Sequence, residues 1–259
     1  MKRVVAILQA RMASSRVPGK VLAPVFPEPF QPMIARIMDT MLSLDVDDWW
    51  LATTESTKDD VLTSWADTMG FRTLCGAEKD VFSRYERIIE ATGADYVVRV
   101  CGDMPLLNAE MSNRLIRETV GGHADYGTWL VDGTPTAQTR MGMLPEVIES
   151  KALLSTKNCI EDCRPQVKEH VSFRLYAMPG YLVHGITVPE TEVYPQMSVD
   201  TMDNLRGVNR AIQWVGRFPT NYRQVVGAPP VGTAQGFFKP YGGQARFGSD
   251  HEGCEGWWT

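Results

Sequence analysis

The stretch "QARMASSRVPGK", residues 9–20, places Arg11, Arg16 and Lys20 among two serines, a proline and a glycine, directly after the apolar run "VVAIL". Two planar guanidiniums and one ammonium in a short loop suit a polyanion. Arginine pairs phosphate oxygens in bidentate fashion, and lysine adds a point charge. Each charge-assisted hydrogen bond contributes about 1.5–3 kcal/mol, so three would hold a triphosphate firmly. A solvated basic loop is the plain alternative. The segment is not a P-loop, since G-x-x-x-x-G-K-[ST] is absent, and no G-x-G-x-x-G follows the run. A triphosphate commonly arrives with magnesium, which takes carboxylate oxygens. Asp103 in "VVRVCGDMPLL" and Asp200 in "MSVDTMDNL" fall at expected strand ends and could supply them, although either could instead cap a helix or shape a turn.

Such residues need a scaffold that gathers several loops at one edge. Residues 4–8 read as a strand, and "MIARIMDTMLSL" at 33–44 has the three-to-four spacing of an amphipathic helix. "DWWLATT" and "FRTLCG" read as further strands around a helix in "KDDVLTSWADTMG". Asp80 and Asn108 are expected to cap helices on either side of the strand "DYVVRVCGD". This alternation predicts an α/β fold with a mostly parallel sheet covered on both faces by helices. In the second half "ADYGTWL", "VSFRLYAMP" and "YLVHGITVP" read as strands, with a helix around "PEVIESKALLSTKN", so a mixed sheet is expected there. "MSVDTMDNLRGVNRAIQWVGRF" returns to strand-then-helix. Residues 1–226 read as one domain, with a dimerisation or acceptor subregion around 124–195. Residues 227–259, rich in glycine, proline and aromatics, read as an irregular arm without regular structure.

Bulk properties narrow the function. A net charge of -5 argues against a nucleic-acid surface, which needs an extended basic face. The apolar run near the start is too short for a spanning helix and poor as a signal peptide, so a cytoplasmic protein without membrane contact is expected. Five scattered cysteines suggest reduced thiols. "CIEDC" with His170 could mimic a zinc site, but no C-x-x-C pair or evident fourth ligand supports it. The Met-rich face of 33–44 serves the core or a dimer interface, and a homodimer is expected. Arg99, inside a strand, needs a partner for its charge; pairing within the fold is expected ahead of a reach to Asp103 or substrate.

Together "ILQARMASSRVPGKVL", "LATTESTKDDVL", "GAEKDVFSRYERIIEATGADYVVRVCGDMPLL", "KEHVSF" and "MSVDTMDNLRGV", in that order, resemble the cytidylyltransferase family called spore coat polysaccharide biosynthesis protein F. That family is related to the CMP-KDO and CMP-sialate synthetases. The resemblance implies a Rossmann-like nucleotidyltransferase fold and Mg2+-dependent transfer of CMP from CTP to a small acidic acceptor, a sugar acid, with release of pyrophosphate. It implies that Arg11, Arg16 and Lys20 bind the triphosphate and act in catalysis, with Ser14 and Ser15 as the small hydroxyls of their loop. Thr53 and Thr54 would line the nucleoside pocket, and Gly76, Asp80 and Arg84 would lie near the base. Glu169 and His170 would face the acceptor, and Asp103 and Asp200 would hold the metal. Two departures stand out: "VFPEPFQPM" replaces a short "GKPM" turn, and the glycine-rich tail lies outside the pattern. A glycosyltransferase using a nucleotide sugar and a nucleotide-binding protein without turnover remain as alternatives.

Overall fold

Both faces of the first strand, β1 (Val4–Gln9), are apolar, so both need cover. In the computed structural model Val4, Ala6 and Leu8 enter one buried cluster with Met38, Leu62 and Leu115. Val5 and Ile7 enter a second with Tyr85, Ile88 and Leu153. The structure describes residues 1–14, 16–25, 28–139, 141–157, 171–188, 194–215 and 237–238. After β1 come β2 (Pro24–Val25), β3 (Glu28–Pro32), α1 (Met33–Met41), β4 (Asp48–Thr54), α2 (Asp60–Thr68), β5 (Arg72–Gly76), α3 (Val81–Thr92), β6 (Tyr96–Cys101) and α4 (Ala109–Gly121). Next are β7 (Tyr126–Val131), β8 (Thr134–Pro135), β9 (Glu146–Glu149), α5 (Ser150–Ser155), a helix Phe173–Ala177 and β10 (Val183–Thr187). Last come β11 (Tyr194–Pro195), a helix Met202–Val215 and β12 (Phe237–Phe238).

The main sheet runs β10-β7-β9-β6-β1-β4-β5, with β8 on β7. β1 lies parallel to both β4 and β6, β4 to β5, and β10 to β7. β9 alone along that path is antiparallel to its neighbours, β6 and β7. This is the mostly parallel, helix-flanked sheet that the alternation predicts, and it has the Rossmann-like form that the family resemblance implies. The chain leaves β1 for β4 and β5 on one side, then returns to β6 on the other. That reversal opens a crevice at the carboxyl ends of β1 and β6, where ligands bind in open α/β sheets. The expected caps form: Asp80 accepts from the Ser83 N–H at 2.9 Å, and Asn108 from the Met111 N–H at 2.8 Å. Met33, Met38 and Met41 are fully buried within the chain, so the Met-rich face of α1 belongs to the core. Among the described residues no helix is long and apolar enough to cross a membrane.

Four expectations need correction. The segment "MSV" ahead of Asp200 is not a strand: it runs irregularly between β11 and the helix Met202–Val215, and its Val199 N–H bonds to the Asp103 carbonyl instead of to a neighbouring strand. "PEVIESKALLSTKN" is not one helix: Glu146–Glu149 inserts as β9, and Glu149 turns the chain by accepting from the Ala152 N–H at 3.1 Å, so the helix starts at Ser150. "VSFRLYAMP" forms the helix Phe173–Ala177 rather than a strand; Val171 and Leu175, four apart, are both fully buried. A short apolar run cannot be assigned by periodicity alone. The tail also carries regular structure at one point, where Phe237 and Phe238 pair antiparallel with Pro195 and Tyr194. Cys159, Cys163 and His170 lie outside the described residues.

The insertion of β9 settles the fate of Arg99. It sits opposite Glu146 in the β6–β9 register, and the two form a buried ion pair. Tyr126 donates its hydroxyl to the other Glu146 oxygen at 2.6 Å. Glu146→Gln would leave the buried guanidinium without its counter-charge, a change that costs about 3–5 kcal/mol. The expected result is a melting temperature lower by on the order of 10 °C, read by calorimetry. A shift under a degree would show that the pair contributes nothing.

Candidate functional site

The cation loop leaves β1 at the reversal, and its base is tied shut. The Gly19 N–H donates to the Met12 carbonyl at 3.0 Å, and Gly19 itself takes a left-handed φ of 70°. Ser14 Oγ accepts from the Val17 N–H at 3.3 Å, which shapes the turn within. Lys20 then opens a 3-10 turn, Lys20–Leu22. Ser15 lies outside the described residues.

Two further segments meet this loop. Beyond β6, the Gly102 N–H donates to the Gln9 carbonyl at 2.8 Å, so the exits of β1 and β6 run side by side. A Cβ at Gly102 would come within 2.8 Å of the Ala10 Cβ, and glycine is what allows the approach. Asp103 follows at once. Its carbonyl accepts from the Val199 N–H at 2.9 Å, which draws in the segment ahead of the helix Met202–Val215. Gly142, at φ +60°, lets that segment pass, because any Cβ there would collide with the Ser198 backbone.

The carboxylates of Asp103 and Asp200 therefore converge on one cation. Lys20 Nζ lies 3.4 Å from each and donates to the Val199 carbonyl at 2.7 Å. Arg16 reaches Asp200 at 2.6 Å. Lys20 and Asp200 are mostly shielded, at 14% and 15% side-chain exposure, whereas Arg16 is 57% exposed. Asp200 does not cap the following helix. Thr201 does so, its Oγ1 accepting from the Asn204 N–H at 3.2 Å, while Asn204 Oδ1 accepts in return from the N–H groups of Asp200 and Thr201. Capping thus accounts for neither aspartate side chain. Two carboxylates that converge on one ammonium form a donor set suited to a hard cation, and magnesium is usually held by one or two carboxylates plus phosphate oxygens. Among the described residues no cluster of three or more His, Cys, Asp or Glu offers a closed metal cage.

On the other flank of β1 stand the residues assigned to the nucleoside and base. Arg11 pairs with Glu78 at 3.1 Å. Thr53 and Thr54 end β4 but are buried, and both hydroxyls donate to Asp59 Oδ2, at 3.0 and 2.5 Å. Their hydroxyl protons are thus committed to the protein. Gly76 ends β5 opposite Thr54, with the Arg84 side chain packed against it. Arg84 is only 2% exposed, and its Nε has no hydrogen-bond partner among the described residues. Burial disfavours its charge and lowers its pKa. Asp80 spends one carboxylate oxygen on the α3 cap. Cys101 borders Asp103, but burial pushes its thiol up to about 11, so it stays neutral and inert at physiological pH. Glu169 and His170 lie outside the described residues.

The structure brings Arg16, Lys20, Asp103 and Asp200 into direct contact, and places Arg11, Thr53, Thr54, Gly76 and Arg84 beside β1. Sequence reasoning passed over Asp59 and Glu78. The signal for Asp59 was its place in "ATTESTKDD", a carboxylate five and six positions after two strand-end threonines.

A family model described as cytidylyltransferase matches residues 5–152. The spore coat polysaccharide biosynthesis protein SpsF of Bacillus subtilis (strain 168) is 28% identical over 224 residues, spanning 85% of this chain and 90% of that protein. A cytidylyltransferase from Leptospira borgpetersenii superposes with a TM-score of 0.74 at 19% identity, covering 87% of this chain and 93% of the other. A CMP:2-keto-3-deoxy-manno-octonic acid synthetase solved with CTP superposes at 0.61 and 17% identity, covering 82% and 99%. These two share the fold.

Proposed function

The chain belongs to the cytidylyltransferase family, and from that premise we propose that it transfers CMP from CTP to an oxygen of a small acidic acceptor, a sugar acid, and releases pyrophosphate. The observation that carries this reading is the meeting of the cation loop with Asp103 and Asp200 at the crevice between β1 and β6. The nonulosonic or 3-deoxy sugar acids are the favoured acceptor class, in keeping with the named acceptor of the synthetase that shares this fold.

In such a transfer most of the rate comes from positioning and charge neutralisation. Arg11, Arg16 and Lys20 would hold the β- and γ-phosphates and stabilise the charge on departing pyrophosphate. Asp103 and Asp200 would hold Mg2+, which when bound neutralises charge at the α-phosphate and favours the acceptor's anionic oxygen. Arg84, buried and with no hydrogen-bond partner for its Nε among the described residues, supports recognition of the nucleotide on the β4–β5 side.

The test is to incubate the protein with each of the four nucleoside triphosphates, Mg2+ and a panel of sugar acids, reading pyrophosphate. Release with CTP and a sugar acid is expected. Release of nucleoside diphosphate from a nucleotide sugar, with no pyrophosphate from any triphosphate, would overturn the proposal in favour of glycosyl transfer. A binding prediction follows from the loop: Arg16→Ala and Lys20→Ala should each weaken CTP by about 10- to 100-fold, the loss of one charge-assisted contact. CMP lacks the outer phosphates and should change by no more than a few-fold. Equal losses for the two nucleotides in calorimetry would place these residues elsewhere.

A further inference from the structure

The carboxylate of Asp59 sits beneath the cation loop, only 2% exposed, at the end of the 3-10 turn Thr57–Asp59. It immediately precedes α2, where an aspartate ordinarily caps, yet it makes no capping hydrogen bond. Instead it points inward, and four neutral donors surround it. Oδ1 accepts from the Met12 N–H at 2.8 Å. Oδ2 accepts from the Thr53 hydroxyl at 3.0 Å, the Thr54 N–H at 3.2 Å and the Thr54 hydroxyl at 2.5 Å. A buried carboxylate held this way is costly unless its bonds serve the structure around it.

Met12 is the residue whose carbonyl closes the loop by accepting from the Gly19 N–H. Its amide and carbonyl are thus gripped from opposite sides, by Asp59 and by Gly19. Arg11 stands just outside this staple, Arg16 within it and Lys20 directly after it. We infer that Asp59 is a positioning residue: through the Met12 amide it pins the base of the cation loop to the end of β4 and pre-orders the three cations for a polyphosphate. This deepens the triphosphate-binding reading of the loop and rests on it for the affinity part alone. A loop ordered before binding leaves less of the ordering to the ligand, so releasing Met12 lowers the competent fraction and the apparent affinity with it. Thr53 and Thr54 then act by orienting Asp59, which explains why their hydroxyls face inward.

The experiment uses the full chain as wild type, Asp59→Ala, Asp59→Asn and Ile88→Ala. Exchange at single backbone amides is read without ligand, and binding of inorganic tripolyphosphate and of CTP is read by calorimetry. In Asp59→Ala the Met12 amide should exchange about tenfold faster or more while the amides of β1 keep their protection, and both polyphosphates should bind about tenfold more weakly. Asp59→Asn keeps the volume and guards against failure to fold. Its single acceptor oxygen must forsake either Met12 or Thr54, and affinity should fall only if Met12 is the one exposed. Ile88 is buried on the opposite face of the sheet, so Ile88→Ala should lower the melting temperature and leave Met12 protection and polyphosphate affinity unchanged. With substrate turnover, KM for CTP should rise more than kcat falls, because bound triphosphate itself orders the loop. Met12 still protected in Asp59→Ala, unchanged affinity with Met12 exposed, or an equal affinity loss in Ile88→Ala would each overturn the inference. A wild-type chain that binds neither polyphosphate would overturn the functional reading instead, and the exchange at Met12 would then decide the role of Asp59 by itself.

Discussion

Asp103→Asn and Asp200→Asn should each lower the rate of CMP transfer by about two to three orders of magnitude while the protein melts within a few degrees of wild type. The amide keeps the shape of the carboxylate and removes its charge. For a hard divalent cation charge dominates, and losing one preorganised electrostatic contact at a reacting centre typically costs about 10²–10³ in rate. Little stability is at stake. Although Lys20 and Asp200 are mostly shielded, the amide keeps an oxygen for Lys20 at 3.4 Å and for Arg16 at 2.6 Å, so the loss is that of charge assistance in a hydrogen bond, about 1–2 kcal/mol. Steady-state kinetics at saturating CTP with a Mg2+ titration measures the effect. Near-normal turnover of both variants at ordinary Mg2+ would remove the two aspartates from the metal site.

The second large effect concerns Lys20, whose ammonium lies where the two carboxylates converge. In the ligand-free chain this ammonium, with Arg16 on Asp200, already offsets the charge of the pair, so a divalent cation has to compete with it. On the proposed reading CTP would change the balance, because its outer phosphates would offer Lys20 and Arg16 a better partner and release Asp103 and Asp200. Metal and nucleotide should therefore bind with strong mutual assistance. Coupling of this kind is reciprocal and commonly amounts to about 5- to 150-fold. Lys20→Ala should raise the affinity of the nucleotide-free protein for Mn2+ by about tenfold or more, since the two partly shielded carboxylates then keep only the exposed Arg16, on Asp200, and should erase most of the assistance. Mn2+ binding followed by electron paramagnetic resonance, with and without CTP, reads both quantities. Equal Mn2+ affinity in wild type and variant would show that Lys20 does not hold the site in reserve.

The sequence alone determined what depends on residues close together in the chain. Three cations in twelve residues, alternating apolar runs, and the caps at Asp80 and Asn108 are local properties, so the α/β class, the helices α1 to α4 and the cationic character of the loop were legible directly. The family resemblance added Asp103 and Asp200 as a pair. Long-range pairing decided the rest. Lys20 meets aspartates 83 and 180 positions away, and only the reversal of strand order at β1 and the docking of Val199 on Asp103 bring them to one point. Glu146–Glu149 is a strand because β6 and β7 leave a gap that an antiparallel segment fills, and the buried charge of Arg99 is met there by Glu146. No local pattern contains that information, since "EVIESKALL" suits a helix equally well. Asp59 shows the same limit on a shorter scale. Its sequence position announces a helix cap, but the Met12 N–H that its carboxylate accepts from comes within reach only once β1 and β4 lie side by side.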